Sequence, residues 1–295
     1  MLIAVGVRIY TITKEMQIDN LFSYISENKL SKTFFFNDIK SGNYFWKRFL
    51  AGVFVAIVMT GLDQDMMQKN LTCRNLKDAQ KNMFWFTIVL VIVNFFFLAL
   101  GVLLTDYAAL NGISAQKDEL FPIIATKGSL SITTAIFFLL GLIAAAYSSA
   151  DSALTSLTTS FSIDILEIDK NKDKSQQEKT RKHIHIVFSL ILIVTILVFK
   201  YFIADESVIA KIFTFANYTY GPLLGLYVFG LFTRCSIRDQ WVPFICIASP
   251  IITYLLNYFS LLIFNFNFGY ALLIVNGAVT FLGLFFIKNK KICNA

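Results

Sequence analysis

Apolar residues along this chain come in long runs separated by short polar stretches. The runs at 45–62, 83–105, 128–165, 184–203, 207–233, 241–262 and 267–287 are each near or above the ~20 residues that carry a helix across ~30 Å of hydrocarbon. The pattern predicts an all-α polytopic membrane protein with about seven spans. Residues 1–12 are apolar but too short to span, and read as the last turns of a helix whose beginning is missing. Residues 13–44 are mixed and polar, and are expected to form an external loop carrying a short surface helix. The run at 128–165 would be ~57 Å long if wholly helical. Two runs carry breakers. The first ends in Thr60-Gly61-Leu62-Asp63-Gln64, where Gly61 can interrupt the helix and Asp63 can cap the next segment. The run at 207–233 contains Gly221-Pro222, and proline inside a helix removes a backbone hydrogen bond. In a membrane such breaks survive only where other groups or a wet cavity satisfy the freed backbone.

Composition agrees with this class. The chain has 295 residues, 56% hydrophobic and 15% charged, against ~25% charged for a soluble domain. The net charge of +7 acquires meaning from its distribution. Lys69, Arg74, Lys77 and Lys81 follow the first run; Lys170, Lys172, Lys174, Lys179, Arg181 and Lys182 follow the third; Arg234 and Arg238 follow the fifth; Lys288, Lys290 and Lys291 close the chain. The intervening loops are poor in basic residues or balanced by acids such as Asp106, Asp118, Glu119, Asp205 and Glu206. This alternation follows the positive-inside rule and predicts a cytoplasmic C-terminus in the plasma (inner) membrane. Lys14, Lys29, Lys32 and Lys40 in the first loop depart from it. The basic charge sets orientation, so the lipid bilayer and not nucleic acid is the expected partner. Cys73, Cys235, Cys246 and Cys293 form no recognisable disulfide or metal spacing and are expected to be free thiols. His183 and His185 open a helix and are expected to be solvated. No nucleophile set, phosphate loop or zinc spacing marks an enzyme, and no cofactor is expected.

The chemistry lies in the stretch Ala144-Ala145-Ala146-Tyr147-Ser148-Ser149-Ala150-Asp151-Ser152. A carboxylate at mid-bilayer costs at least ~2.5–3.5 kcal/mol. Downstream, Thr155, Ser156, Thr158, Thr159, Ser160, Ser162 and Asp164 continue the polar character. One reading is tight helix packing through small and hydroxyl residues. The other is cation coordination. Residues three and four apart share a helix face, so the Ala145 carbonyl lies near the Ser148 and Ser149 hydroxyls. Asp151 and Ser152 follow as a second cluster, suited to another cation or a proton.

Ala144 to Asp164 resembles the eighth core helix of the sodium:solute symporter family, which includes sodium/glucose, sodium/proline, sodium/iodide and sialic acid carriers. Gly61-Leu62-Asp63-Gln64 with Gln68-Lys69, Ala79-Gln80-Lys81, Asp118-Glu119-Leu120-Phe121-Pro122, and Gly230-Leu231-Phe232 with Arg234 resemble four further family segments in the same order. The resemblance covers about residues 45–290. It implies the LeuT-like fold of paired inverted five-helix repeats, with sodium between core helices one and eight and solute at mid-membrane. It implies sodium as the coupling ion, symport of a small solute by alternating access, and a sodium site at Ala145, Ser148 and Ser149. Asp151 and Ser152 match a second sodium site found in some members, where Asp151 departs from the usual small or hydroxyl residue. Met59, Thr60, Asp63 and Gln64 fall where solute or a gate is lined, with capping as the other role for Asp63 and Gln64. The apolar Ala56, Val58 and Met59 argue against a sugar. By motif order, 45–233 is the second repeat (core helices six to ten) and 234–295 two accessory helices with a cytoplasmic tail. The first repeat is then missing, so the alternative is a non-transporting remnant or membrane interaction subunit, and a missing N-terminal half is an expected partner.

Overall fold

The structure is a computed structural model that describes residues 2–114, 119–127, 132–168, 173–202 and 208–288. Asp118, Lys170, Lys172, Asp205, Glu206, Lys290, Lys291 and Cys293 lie outside these residues. Among the described residues every regular element is helical. The chain forms two compact units, one from 1–32 and 67–207, the other from 33–66 and 208–295.

The first unit holds α1 (Leu2–Glu15), α2 (Leu21–Glu27), α5 (Leu76–Leu110), α6 (Leu120–Lys127), α7 (Ile132–Ser160) and α8 (Lys174–Phe202). Local signals set the limits of α5. The Asn75 side chain accepts from the Asp78 N–H at 2.9 Å, and Gly112 just past the end takes φ +63, a conformation suited to glycine. Ile9 and Ile12 of α1 pack with Leu100, Leu103, Leu104 and Tyr107 of α5 and Ile124 of α6. The apolar stub at 1–12 is thus part of this core. At the start of α2 the Asn20 side chain accepts from the Phe22 and Ser23 N–H groups. From α2 and the residue after it, the Tyr24 hydroxyl (2.7 Å) and the Asn28 amide (2.6 Å) both donate to Asp106 at the end of α5. The hydrogen bond to Asp106, burial and the carboxylate charge hold the Tyr24 phenol above its ordinary pKa. The sign follows: a raised folded value contributes stability in full below the unfolded value near 10, and the contribution is lost as pH rises beyond it. Asp106→Asn is expected to return Tyr24 towards the ordinary value, read as tyrosinate absorbance against a Tyr24→Phe blank.

The second unit holds α3 (Phe45–Ala56), continued by a π-helical turn over Ile57–Gly61, then the start of α4 (Gln64–Leu71), α9 (Val208–Phe232), α10 (Val242–Phe264) and α11 (Leu272–Phe286). The axis bends by 56° between Phe45–Gly61 and Gln64–Leu71, as Gly61 predicts. Proline 222 does not interrupt α9, because a neighbour supplies the missing donor. In an α-helix the Tyr218 carbonyl would accept from the N–H of residue 222, which proline lacks. Instead Asn276 of α11 donates from Nδ2 to the Tyr218 carbonyl at 2.8 Å and the Asn217 carbonyl at 3.2 Å. Its Oδ1 accepts from Ser249 of α10, and the Ser249 and Thr280 hydroxyls bond at 2.6 Å. Asn276 and Thr280 are 0% exposed. Glycine makes this approach possible, since a Cβ on Gly221 would lie 2.3 Å from Asn276 Cγ, and one on Gly225 would lie 2.5 Å from Thr280 Cβ.

Among the described residues, five helices are long and apolar enough to cross a membrane, or six when the bent pair is counted as one span. The all-α polytopic membrane class expected from the sequence holds, and α9 is the one expected span outside this count. It has 25 residues, but Asn217, Tyr218, Thr219 and Tyr220 dilute its apolar character. One correction concerns the thiols. Cys73 and Cys246 are free, but Cys235 is disulfide-bonded. Backbone contacts of Ile237 with Lys288 and of Arg238 with Ile287 hold the segment after α9 beside the one after α11, a proximity that sequence spacing did not predict.

Candidate functional site

Ala145, Ser148, Ser149, Asp151 and Ser152 all lie on α7, which is continuous from Ile132 to Ser160. At 3.6 residues per turn, Ala145, Ser148, Ser149 and Ser152 share one face, with Asp151 at its edge. The Ala145 carbonyl accepts within the helix ladder and keeps a second lone pair for a ligand. Ser148, Ser149 and Asp151 are exposed, and Ser152 is half-buried. Among the described residues, no hydrogen bond engages the side chains of Ser148, Ser149 or Asp151. The most apolar 18-residue window of α7 has 0% of its residues buried.

Further along α7 the same residue types do something different. Ser156 and Thr158 are buried. The Thr158 hydroxyl donates to the Leu154 carbonyl at 2.6 Å and lies 3.2 Å from His185 Nδ1 on α8. His185 is half-buried, so it is bonded to Thr158 rather than solvated. Past the end of α7, Phe161 packs on Phe188 with ring centroids 5.6 Å apart. Ser162, in the π-helical turn Phe161–Ile165, is 0% exposed and its hydroxyl has no partner. The two readings of the polar run therefore divide along the helix. Packing accounts for Ser156, Thr158 and Ser162, which are buried, with Thr158 held against α8. It does not account for Ser148, Ser149 and Asp151, which no described element of the unit covers.

The second set of candidates belongs to the other unit. Met59 and Thr60 lie in the π-helical turn, half-buried, a geometry frequent at functional sites. Asp63 Oδ1 accepts from the N–H groups of Asp65 at 3.0 Å and Met66 at 3.2 Å. It thus caps α4, and Gln64 is the exposed first residue of that helix. Tyr220 packs against the cluster of Val58, Leu224 and Leu273, and the Tyr218 ring lies tilted against Tyr254 with centroids 6.3 Å apart, so both tyrosines serve packing. Of the site's polar groups, sequence reasoning missed Asn276, Ser249 and Thr280. Their signal was an asparagine beside glycine in an otherwise apolar run, Leu272-Leu273-Ile274-Val275-Asn276-Gly277.

The profile of the sodium:solute symporter family matches residues 1–236. The match takes in residues 1–44, beyond the motifs quoted above, and stops short of α10 and α11. No curated protein and no solved structure matches the chain.

Proposed function

Because the chain belongs to the sodium:solute symporter family, we propose that it moves a small solute across the membrane by sodium-coupled symport. The observation that carries the proposal is the uncovered polar face of α7 at Ser148, Ser149 and Asp151. Hydroxyls and a carboxylate left bare in a membrane span need an ion, a cavity or another helix. Neutral oxygens from Ala145, Ser148 and Ser149 hold sodium loosely enough to release it, which a transport cycle requires. Asp151 with Ser152 forms a second cation or proton site. A second helix packed on this face completes the sodium shell. Met59 and Thr60, at the bent turn, line the solute path, while Asp63 serves as a cap.

The distribution of Lys and Arg along the chain supports an orientation with the C-terminus inside the plasma membrane. Sodium then enters down its gradient. A 100 mV potential supplies ~2.3 kcal/mol per charge and a tenfold gradient ~1.4 kcal/mol. Together they support roughly 500-fold accumulation per sodium.

The test is uptake of a panel of labelled amino acids, carboxylates, inorganic anions and sugars by cells expressing the chain, in sodium and in choline. Sodium-stimulated uptake of one solute is expected, with sugars unmoved. Uptake that is equal in sodium and choline contradicts coupling, and uptake no higher than in cells lacking the chain, throughout the panel, favours a non-transporting interaction subunit. Asp151→Asn is expected to change the sodium-to-solute ratio or the pH dependence of that uptake. If both are unchanged, Asp151 plays no part in coupling.

A further inference from the structure

A pocket of about 390 Å³ lies at the basic end of α8, lined by Thr158, Arg181, Lys182, His185 and Ile186. It sits where the helix changes character. In sequence, residues 174–182 carry Lys174, Lys179, Arg181 and Lys182 with Glu178, and no Asp, Glu, Lys or Arg follows Lys182 until Lys200. Ile186 opens a ridge with Leu190 and Val194 at i+4 spacing, all more than half exposed. The pocket therefore spans the level at which a bilayer passes from headgroups to acyl chains.

We propose that this pocket holds the phosphate of an anionic phospholipid, with the lipid's acyl chain along Ile186, Leu190 and Val194. Arg181 offers planar donors suited to phosphate, and Lys182 a point charge. Lys182 also pairs with Glu178 at 2.7 Å, but both side chains are about 70% exposed (72% and 68%), and such surface pairs are weak and readily exchanged. The Thr158 proton is committed to the Leu154 carbonyl, so its hydroxyl accepts from His185 Nδ1–H. That bond fixes the imidazole at one nitrogen in the pocket wall. On the facing end of α7, Asp164 is engaged by the Ser160 hydroxyl at 2.7 Å. A free phosphate would use the basic residues but not the apolar ridge. Basic pockets at the cytoplasmic ends of spans are known lipid headgroup sites, which matches the side assigned to this loop.

The proposal rests on α8 crossing the membrane and not on sodium coupling, so a lipid readout fails or succeeds independently of transport. The purified full chain is delipidated and titrated with phosphatidylglycerol or phosphatidylcholine of identical acyl chains, bound lipid being counted by native mass spectrometry. Phosphatidylglycerol is expected to bind more tightly. Arg181→Gln with Lys182→Gln is expected to lose about fivefold per charge, roughly thirtyfold together. The charge-retaining pair Arg181→Lys with Lys182→Arg keeps most of the affinity, and Lys77→Gln with Lys81→Gln keeps all of it. Equal binding of the two lipids, or an unchanged affinity in the double glutamine variant, overturns the proposal. Displacement of phosphatidylglycerol by millimolar inorganic phosphate overturns the lipid assignment in favour of a soluble anion.

Discussion

Ser148→Ala with Ser149→Ala is expected to abolish sodium-stimulated uptake while leaving expression and thermal stability unchanged. Both hydroxyls are exposed and make no hydrogen bond to any described residue, so removing them costs the fold nothing that the structure shows. Each would otherwise contact a cation. Hydrogen bonds to charged groups are worth ~1.5–3 kcal/mol each, and a sodium–hydroxyl contact is taken as similar. Loss of two lowers sodium affinity by ~3–6 kcal/mol, or roughly 150- to 20,000-fold. Uptake would then fall to its sodium-free rate at any practical concentration. By contrast Ser156→Ala and Thr158→Ala, at buried positions on the same helix, are expected to lower stability and leave the sodium dependence of the remaining uptake unaltered. Equal effects of the two pairs would show that the whole polar run serves packing.

Gly221→Ala is expected to be the most damaging single substitution in the second unit. Its Cβ would sit 2.3 Å from the Asn276 side chain, so α11 must move away from α9. That movement breaks the bonds from Asn276 to the Tyr218 and Asn217 carbonyls and strains its link to Ser249. Overpacking costs ~1–3 kcal/mol. A buried carbonyl left without a donor adds ~1–3 kcal/mol, and Pro222 has no N–H with which to compensate. Asn276→Leu, similar in size but unable to donate, isolates the second contribution. Measured interhelical hydrogen bonds in membranes average only ~0.6 kcal/mol, so this variant should be milder than Gly221→Ala. Thermal unfolding in a fixed lipid mixture gives the order: wild type, Asn276→Leu, Gly221→Ala, from most to least stable. If Gly221→Ala unfolds with the wild type, the close approach of α9 and α11 does not contribute as described.

The sequence disclosed much of this fold because its main signals are local. Apolar runs mark spans, Gly61 marks the bend before α4, and Asp63 caps that helix through its own near neighbours. The polar stretch at 144–152 could be read as a candidate site because residue spacing alone places Ala145, Ser148 and Ser149 on one face. What stayed hidden was long-range. Nothing near Pro222 indicates that Asn276, fifty-four residues on, donates to the carbonyl it frees. Nothing near Cys235 indicates that the segment after α11 returns beside it. The division of the polar run into a bare half and a packed half also depends on where α8 docks. Residue type alone, serine or threonine in either half, could not have shown it.

The central claim is that the bare face of α7 binds sodium. Equilibrium binding of radioactive sodium to the purified protein in lipid nanodiscs tests it most directly. The account predicts saturable binding that excess potassium does not displace and that Ser148→Ala with Ser149→Ala removes. An absence of saturable sodium binding in the wild type, or an unchanged affinity in the double variant, would contradict it.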